Sequence, residues 1–175
     1  MAQSPDELFD VVDDSDRVVG QARRADVHAL RLLHRAVHIF VFNERNELLL
    51  QMRSAAKDEY PLTYTSSASG HVDSGEDYDS AAHRELSEEL GLSGELRRLH
   101  KFKASAATSN EHTVLYFHRT TSSVRFDSHE IEHVEYVDPE SVQHRMQAAP
   151  EKFAPAFRTL FEWYLTNAAA DKMEP

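Results

Sequence analysis

The segment Gly70–Leu92, GHVDSGEDYDSAAHRELSEELGL, determines how this chain folds and what chemistry it can carry. It begins as a glycine-bounded loop and continues as a helix predicted over Asp77–Leu90. Ala82, Leu86 and Leu90 recur at intervals of four residues, which places them on one side of that helix. The spacing therefore predicts a helix that buries this apolar side against the rest of the fold.

Three glutamates occupy a second side of the same helix. Glu85, Glu88 and Glu89 lie at i, i+3 and i+4, so their carboxylates are about one turn apart. Like charges at this spacing repel by about a few tenths of a kcal/mol per pair, and Arg84 offsets part of the repulsion. A solvated acidic surface is one interpretation. A divalent cation is the other, because hard oxygen ligands suit Mg²⁺ and Mn²⁺, and the carbonyl of Gly70 could add a further oxygen.

The same segment resembles the Nudix box, Gly-x5-Glu-x7-Arg-Glu-U-x-Glu-Glu-x-Gly-U with U aliphatic, and matches it at every position. On this match the chain is identified as a member of the Nudix hydrolase superfamily. The resemblance implies an α/β fold, namely a Nudix-type α/β/α sandwich with a mixed β-sheet. It also implies a pyrophosphohydrolase, a hydrolase acting on acid anhydrides in phosphorus-containing compounds, that uses Mg²⁺ or alternatively Mn²⁺.

The resemblance implies a role for each polar position of the box. The implied metal ligands are Gly70, through its carbonyl, and Glu85, Glu88 and Glu89. Glu76 and Arg84 are implied to steady the loop and the helix, often through a salt bridge. In such enzymes the metal ions screen the phosphate charge and lower the pKa of the attacking water.

The general base and the substrate stay open at this point. The base is one of three glutamates: Glu88, Glu89, or Glu111 outside the box. The implied substrate is a small-molecule diphosphate, either a nucleoside diphosphate derivative or another small organic pyrophosphate. The group attached to the diphosphate is not given by the box, because loops outside it set specificity in this family.

The resemblance extends beyond the box, from about Leu8 to Val137, and is similar to the isopentenyl-diphosphate isomerase-like branch. Three further segments carry it: Phe-Asp-Val-Val-Asp at 9–13, Leu-His-Arg-Ala-Val-His-Ile-Phe at 33–40, and Arg-Ser-Ala-Ala-Lys-Asp-Glu-Tyr-Pro at 53–61. His34 and His71 match two metal-binding histidines of that isomerase. His28 lies near the third, at a spacing one residue short.

The isomerase moves a double bond with a cysteine and a glutamate, and this chain lacks the cysteine. Ser69 stands at the cysteine position, and the isomerase Glu-Asn-Glu becomes Ser109-Asn110-Glu111. A serine hydroxyl does not replace the thiol, because its pKa lies far above the ~8.5 of cysteine. Hydrolysis is therefore predicted ahead of isomerisation. A Nudix module that binds a phosphorylated ligand without cleaving it is the third hypothesis.

Outside the box, four residues are candidates for contacts with a metal or with substrate. His34 and His71 are candidates for a second metal site or a substrate site. Arg53 and Lys57 are candidate partners for the substrate phosphates, with simple solvent exposure as the alternative. Three further histidines are predicted to be hydrogen-bonded structural residues: His38, His118 and His133.

The composition favours a single globular domain over residues 1–175. A hydrophobic content of 41% in 175 residues allows one packed core, and a formal net charge of −11 disfavours a nucleic-acid polymer as partner. No apolar run approaches ~18 residues, which argues against a membrane span. The chain has no cysteine and no signal-peptide pattern, so a cytoplasmic location is expected. The oligomeric state is not predicted.

The predicted elements of this domain surround the box at 70–92. An N-terminal hairpin is predicted at 7–22, a short helix at Arg24–Leu32, and two C-terminal helices within 139–169. Runs rich in β-branched and aromatic residues predict the remaining strands. These are Ala36–Phe42, Leu48–Arg53, Thr63–Ser69, Glu95–Ala104, Thr113–Arg119 and Ile131–Val137.

Overall fold

A computed structural model describes residues 6–167 of the chain. The strands, in chain order, are β1 Leu8–Val12, β2 Val18–Arg23, β3 His34–Phe42, β4 Leu48–Arg53, β5 Tyr64–Thr65, β6 Ala68–His71, β7 Arg97–Phe102, β8 Glu111–Arg119 and β9 Ile131–Val137. The helices are α1 Arg24–Leu30, α2 Tyr78–Leu90, α3 Pro139–Ala148 and α4 Pro155–Asn167. The predicted hairpin corresponds to β1 and β2, which pair as a separate antiparallel ribbon.

The main sheet is mixed, as predicted. Its central path runs β5-β4-β3-β8-β7, with β6 also paired to β3 and β9 also paired to β4. The pairing of β3 with β8 is parallel, whereas the other pairings in this sheet are antiparallel. Strand β3 therefore lies at the centre, which agrees with its nearly continuous burial.

Alternation along β3 explains the two helical layers. Successive side chains of a strand point to opposite faces of a sheet. Val37, Ile39 and Val41 belong to the hydrophobic cluster that contains α2, whereas Phe40 and Phe42 belong to the cluster that contains α3 and α4. Both faces of the sheet are thus covered by helices, and the predicted α/β/α sandwich is confirmed.

Helix α2 has the limits and the buried side expected from its sequence. The side chain of Asp77 accepts a hydrogen bond from the Ser80 amide at 2.7 Å, which caps the first turn. Gly91 follows the helix with φ of 63°, the left-handed conformation that glycine adopts without strain. The side chains at 82, 86 and 90 are fully buried, as predicted.

The predicted strand Thr63–Ser69 is instead two short strands, β5 and β6, that pair with different neighbours. Two serines separate them and replace regular ladder bonds with side-chain bonds. Ser67 Oγ accepts from the Val41 amide at 2.8 Å and donates to the Leu49 carbonyl at 2.6 Å. Ser66 Oγ lies 2.8 Å from His38 Nδ1. Serine hydroxyls compete with backbone partners, and here they end one strand and begin the next.

Smaller differences concern the ends of elements. Helix α1 stops at Leu30 because Arg31 adopts a left-handed conformation with φ of 53°. Strand β8 begins two residues earlier than predicted, at Glu111, because it follows β3 in parallel register from His34 onward. The last two residues of the predicted C-terminal helix, 168 and 169, lie outside the described residues. Within residues 6–167, none of the helices combines the length and apolar character that crossing a bilayer requires.

Candidate active site

A cavity beside α2 contains the glutamates of the box; we call it the carboxylate cavity. Among its lining residues are Gly70, Glu85, Glu88 and Glu89. Glu89 is buried, and its Oε2 accepts hydrogen bonds from the Ser69 amide at 3.0 Å and from Gln51 Nε2 at 3.2 Å. Glu88 is more exposed, with 43% of its side chain accessible. The structure therefore brings the four predicted metal ligands to one cavity.

Gly70 lies on β6 directly against Glu85. A Cβ atom built on Gly70 would overlap the carboxylate of Glu85. The glycine is therefore needed for the close approach of a carboxylate to the backbone. Its φ does not lie in the left-handed region, so conformational freedom is not the reason for a glycine here.

Arg84 joins the loop to the helix. Its Nε and Nη2 donate to the two carboxylate oxygens of Glu76 at 3.1 and 2.9 Å, and Nη2 also donates to the His71 carbonyl at 2.9 Å. Nη1 donates to Glu85 Oε1 at 2.5 Å. The resemblance implied a salt bridge between Glu76 and Arg84, and the structure has one with two hydrogen bonds.

The electrostatics of the carboxylate cavity fit a divalent cation. Burial, followed by the charge of Glu89, raises the pKa of Glu85 to about 8. Burial also raises the pKa of Glu89 to about 7, although Lys57 and the Ser69 amide oppose the shift. The buried Glu89 and the part-buried Glu85 carry negative charges that are under-compensated, and they form a donor set of the kind that Mg²⁺ or Mn²⁺ prefers.

Three histidines and one glutamate form a second polar cluster. Possible ligand atoms of His28, His34 and His71 lie within 4.8 Å of one another. Glu111 Oε1 lies 3.1 Å from His71 Nε2 and 3.4 Å from His34 Nε2. The two predicted histidines are therefore brought together with His28, which joins them in spite of its shifted spacing. Nitrogen and oxygen donors at these separations suit a metal ion such as Mn²⁺ or Zn²⁺.

The hydrogen bonds of His34 leave one ring nitrogen facing Glu111. Nδ1 lies 2.9 Å from the Leu32 carbonyl, so it carries the proton that it donates there. Nε2 is buried and has no hydrogen bond of good geometry in the described part of the chain. Burial alone would lower the pKa of His34, but the Glu111 carboxylate outweighs burial and the net shift is upward. A proton or a metal ion between Nε2 and Glu111 would satisfy both groups.

Glu111, a candidate general base, lies in this histidine cluster. Burial would raise the pKa of its carboxyl, but hydrogen bonds and charge from His34 and His71 lower it strongly. It lines a second cavity, which we call the adjoining cavity, rather than the carboxylate cavity. The two cavities share four lining residues: Arg24, Ser69, Gly70 and His71.

The candidate cations differ in their surroundings. Arg53 lines the adjoining cavity, and its Nε donates to the Glu59 carbonyl at 2.9 Å. Burial lowers the pKa of Arg53. Lys57 instead forms a buried ion pair with Glu130, with Nζ and Oε2 2.6 Å apart. Both substrate roles stay predictions, and for Lys57 the ion pair means that a phosphate would have to compete with Glu130.

Sequence reasoning missed several residues of the site. Arg24 is buried and lines both cavities, with Nη1 3.1 Å from His71 Nδ1. Because an arginine only donates, His71 Nδ1 accepts and its Nε2 donates to Glu111. Gln51 and Glu130 also reach the site, from β4 and from the residue before β9. No local pattern marks these three residues, since long-range pairing alone brings them to α2.

The three histidines predicted to be structural are all at least partly buried. His38 and His118 are buried, and their Nδ1 atoms contact Ser66 Oγ and the Glu95 carbonyl, respectively. His133 is partly buried, and its ring lies edge-on to Tyr64. His38 also lines the adjoining cavity, so a structural bond on one nitrogen leaves the other near the site.

Comparison with known proteins identifies the family. The family model described as NUDIX domain matches residues 32–163 of this chain. An isopentenyl-diphosphate Delta-isomerase of Serratia proteamaculans is 31% identical over 97% of this chain and 95% of its own length. A prenyl-diphosphate phosphatase of Methanosarcina mazei is 31% identical over 86% of this chain and 91% of its own length. The chain belongs to the NUDIX family.

Other similarities agree with this assignment. The chain spans about half the length, 52%, of an uncharacterized Nudix hydrolase of Streptomyces coelicolor, to which it is 45% identical over 94 residues. A Deinococcus radiodurans protein of known crystal structure superposes with a TM-score of 0.81 at 31% identity, over 89% of this chain and 98% of that protein. The relatives include both Nudix hydrolases and isopentenyl-diphosphate isomerases, so the predicted branch of the family is confirmed.

Proposed function

We propose that this protein is a Mg²⁺-dependent pyrophosphohydrolase that cleaves the P–O–P bond of a small organic diphosphate, either a nucleoside diphosphate derivative or another small organic pyrophosphate. The observation that carries the proposal is that Glu85 and Glu89, two carboxylates whose pKa values are raised, lie with Gly70 in one cavity. Relatives named Nudix hydrolase and prenyl-diphosphate phosphatase support hydrolysis as the reaction class.

The side chains around the cavity have separable tasks. Glu85, Glu88, Glu89 and the Gly70 carbonyl would hold the cation, which when bound screens the phosphate charge and lowers the pKa of the attacking water. The Ser69 amide and Gln51 hold the orientation of Glu89, and Arg84 holds Glu85 close to Gly70. These contacts keep the carboxylates in place before substrate arrives.

The general base is assigned to the box glutamates rather than to Glu111. The Glu111 carboxylate is engaged by His34 and His71, and its lowered pKa makes it a weak proton acceptor. Glu88 is the most exposed of the box glutamates, with 43% of its side chain accessible and Arg84 Nη1 3.6 Å from its Oε2. Glu88 and Glu89 both stay candidates for the general base.

A substrate panel tests the proposal. Purified protein is incubated with Mg²⁺ or Mn²⁺ and a set of nucleoside diphosphate derivatives and other organic diphosphates, and the release of phosphate, pyrophosphate or nucleotide is measured. Hydrolysis that depends on metal and is abolished in Glu89→Gln, but not in the exposed control Glu95→Gln, is the expected result. Hydrolysis that survives Glu89→Gln would contradict the metal assignment, whereas tight binding without any product would favour a binding module.

The histidine cluster favours one alternative, an isomerase-like reaction on isopentenyl diphosphate. His28, His34, His71 and Glu111 lie together as they would for a metal site of that branch. Against it, Ser69 provides no thiol for the proton transfer, and Ser109 provides no carboxylate. Formation of dimethylallyl diphosphate in the same panel, measured by chromatography, would establish this alternative in place of hydrolysis.

A further inference from the structure

The hairpin of β1 and β2 lies along the box loop, the segment of residues 72–77 between β6 and α2. The Ser74 amide donates a hydrogen bond to the Leu8 carbonyl at 2.9 Å. Phe9 and Asp73 form a single antiparallel bridge beside it. Phe9 is buried and lines the carboxylate cavity. The hairpin is separate from the main sheet, but it therefore forms part of the surroundings of the box glutamates.

Asp10, the next residue of β1, holds the box loop with its side chain. Its Oδ2 accepts a hydrogen bond from the Gly75 amide at 3.1 Å. Its Oδ1 accepts from Ser74 Oγ at 2.8 Å and from Gln21 Nε2 at 3.2 Å. Asp10 is not among the residues that line the carboxylate cavity or the adjoining cavity. Any effect of Asp10 on the reaction therefore has to pass through other residues.

The Asp10 carboxylate is buried, and the box loop compensates for its burial. Only 8% of the residue is exposed. Burial would raise the pKa of Asp10, but the hydrogen bond from the Gly75 amide, followed by those from Ser74 and Gln21, outweighs burial and the net shift is downward. An apolar residue would fit this strand position without the cost of burying a charge. What the carboxylate adds at this position is its hold on the loop.

The loop that Asp10 holds continues into the contacts of a predicted metal ligand. Glu76 follows Gly75 directly, and its amide donates to the Asp73 carbonyl at 2.9 Å. The carboxylate of Glu76 accepts two hydrogen bonds from Arg84, and Arg84 Nη1 in turn donates to Glu85. A displacement of the loop at 74–75 would therefore be passed through Glu76 and Arg84 to Glu85.

We infer that Asp10 is a positioning residue of the metal site, which acts through the box loop and Arg84 on Glu85. The inference rests on the proposed function for the role of Glu85 as a metal ligand. It gives the N-terminal hairpin, which carries none of the predicted site residues, a part in keeping the box in its metal-binding geometry. Loss of a group that orients a metal ligand typically weakens metal binding by roughly 10- to 100-fold. Because Asp10 acts through further residues, we expect a loss at the lower end of this range.

Asp10→Asn tests the inference with little change in shape. The amide keeps one acceptor oxygen for Ser74 and Gln21, but it turns an N–H donor toward the Gly75 amide. The affinity of the whole protein for Mn²⁺, measured by calorimetry, is expected to fall about tenfold.

Ser74→Ala approaches the same contact from the loop. It removes the hydroxyl that donates to Asp10 and is expected to weaken Mn²⁺ binding in the same direction. Because both residues act on one loop, the loss in the double variant should be smaller than the product of the two single losses. Ser74 is only partly buried, so this variant keeps the test valid if Asp10→Asn does not fold.

Asp13→Asn is the matched control within the same hairpin. Asp13 Oδ1 also accepts hydrogen bonds from backbone amides, those of Ser15 and Arg17 at 2.8 and 3.0 Å, but these lie in the hairpin turn and not in the box loop. This variant is expected to lower the free energy of unfolding, measured by urea denaturation, and to leave Mn²⁺ affinity unchanged.

The side chain of Arg84 gives a readout that does not depend on metal. Its Nε–H donates to Glu76 at 3.1 Å, and NMR of the metal-free protein can follow how fast this proton exchanges with solvent. Exchange is expected to be faster in Asp10→Asn than in wild type and unchanged in Asp13→Asn.

Failure of this inference can be told apart from failure of the proposed function. Wild-type Mn²⁺ affinity and Arg84 exchange in folded Asp10→Asn overturn the inference, even if the wild-type protein hydrolyses diphosphates. Equal losses of Mn²⁺ affinity in Asp10→Asn and Asp13→Asn also overturn it, because they would reflect only the stability of the hairpin. Weaker Mn²⁺ binding in Asp10→Asn alone, without hydrolysis of any organic diphosphate by wild type, refutes the hydrolase activity and supports the positioning role. A wild-type protein that binds no Mn²⁺ refutes both.

Discussion

The carboxylate of Glu85 occupies the space in which any side chain at position 70 would place its Cβ atom. The carboxylate of Glu85 thereby lies closer to strand β6 than a residue with a Cβ atom at position 70 would allow. The first glycine of the box and Glu85, a predicted metal ligand, thus form one steric unit, although 14 residues separate them along the chain. This contact explains in physical terms why the box begins with glycine.

Gly70→Ala is expected to damage the site more than the fold. The atoms that meet the new methyl group are the end of a flexible side chain, so Glu85 can swing away at a cost of about 1 kcal/mol or less. Mn²⁺ affinity and kcat are expected to fall roughly 10- to 100-fold because a ligand is displaced. Gly20→Ala, whose new Cβ atom would meet no atom of residues 6–167 within 4 Å, is the control. Urea denaturation and Mn²⁺ titration measure both effects, and unchanged metal affinity in Gly70→Ala would contradict the proposed contact.

Arg84→Met is expected to destabilise the metal-free protein by roughly 1–3 kcal/mol, because it leaves the part-buried carboxylates of Glu76 and Glu85 without their cation. The surface pair of Arg45 and Glu47 provides a contrast, since the Arg45 side chain is 78% exposed. Arg45→Met should change the free energy of unfolding by about 0–1 kcal/mol. Equal losses in the two variants, measured by urea denaturation with a chelator present, would show that Arg84 contributes only as a surface charge.

Glu88→Gln and Glu89→Gln are expected to lower kcat by orders of magnitude, about 100-fold or more, without unfolding the protein. Both remove a charge from the cavity, but Glu89 alone is held by the Ser69 amide and Gln51. Loss of metal affinity in Glu89→Gln, with metal affinity retained in Glu88→Gln, would identify Glu88 as the base. A rate close to that of wild type in either variant would count against that residue's assignment.

The elements that the sequence predicted correctly are those whose pattern is local. Helix α2 carries its own cap, its own apolar spacing and its own terminating glycine, and β4 and β9 begin and end as predicted. The segment 63–69 was misjudged because Ser66 and Ser67 form bonds to residues on β3 and β4 that no local pattern records. Strand propensity correctly indicated extended backbone in this segment, but it did not show that two serines divide the segment into β5 and β6.

The site residues also fall into those that a local sequence pattern predicted and those that only the folded sheet brings together. The proximity of the box glutamates could be predicted because they share one helix, and their spacing is sufficient to bring their carboxylates together. Arg24, Gln51 and Glu130 come from three other elements and reach α2 only through the pairing of the sheet. His28 could be placed near the other histidines by resemblance alone, and its position on α1 brings its ring to the cluster.

The stability of the protein is expected to fall in acid partly because of His38. Burial lowers the pKa of its ring from 6.5 to about 4, against opposition from Glu111 and with a contribution from Arg53. Below pH 6.5, His38 is protonated in the unfolded chain but stays neutral in the folded chain. Protonation therefore favours the unfolded chain, and the free energy of unfolding decreases as the pH falls from 6.5 toward about 4. The slope approaches about 1.4 kcal/mol per pH unit for one proton.

Urea denaturation between pH 7 and pH 4, with a chelator present, measures this dependence. In His38→Leu the free energy of unfolding should fall less steeply over this range, by up to one proton's slope. The exposed His83→Leu on α2 controls for the loss of a histidine as such. Identical slopes in wild type and His38→Leu would mean that the folded protein protonates His38 as readily as the unfolded chain does.

The histidine cluster is expected to bind a metal ion independently of the box. His34 Nε2 faces Glu111 Oε1 at 3.4 Å while Nδ1 is committed to the Leu32 carbonyl, so a cation between Nε2 and the carboxylate relieves an unpaired lone pair. Dialysis against Mn²⁺ or Zn²⁺ followed by elemental analysis should give about one metal ion fewer per chain in His34→Ala than in wild type or in the control His133→Ala. Glu89→Gln should retain that ion, because its carboxylate belongs to the other cavity. Equal metal content in His34→Ala and wild type would leave a proton, rather than a metal, as the group shared by His34 and Glu111.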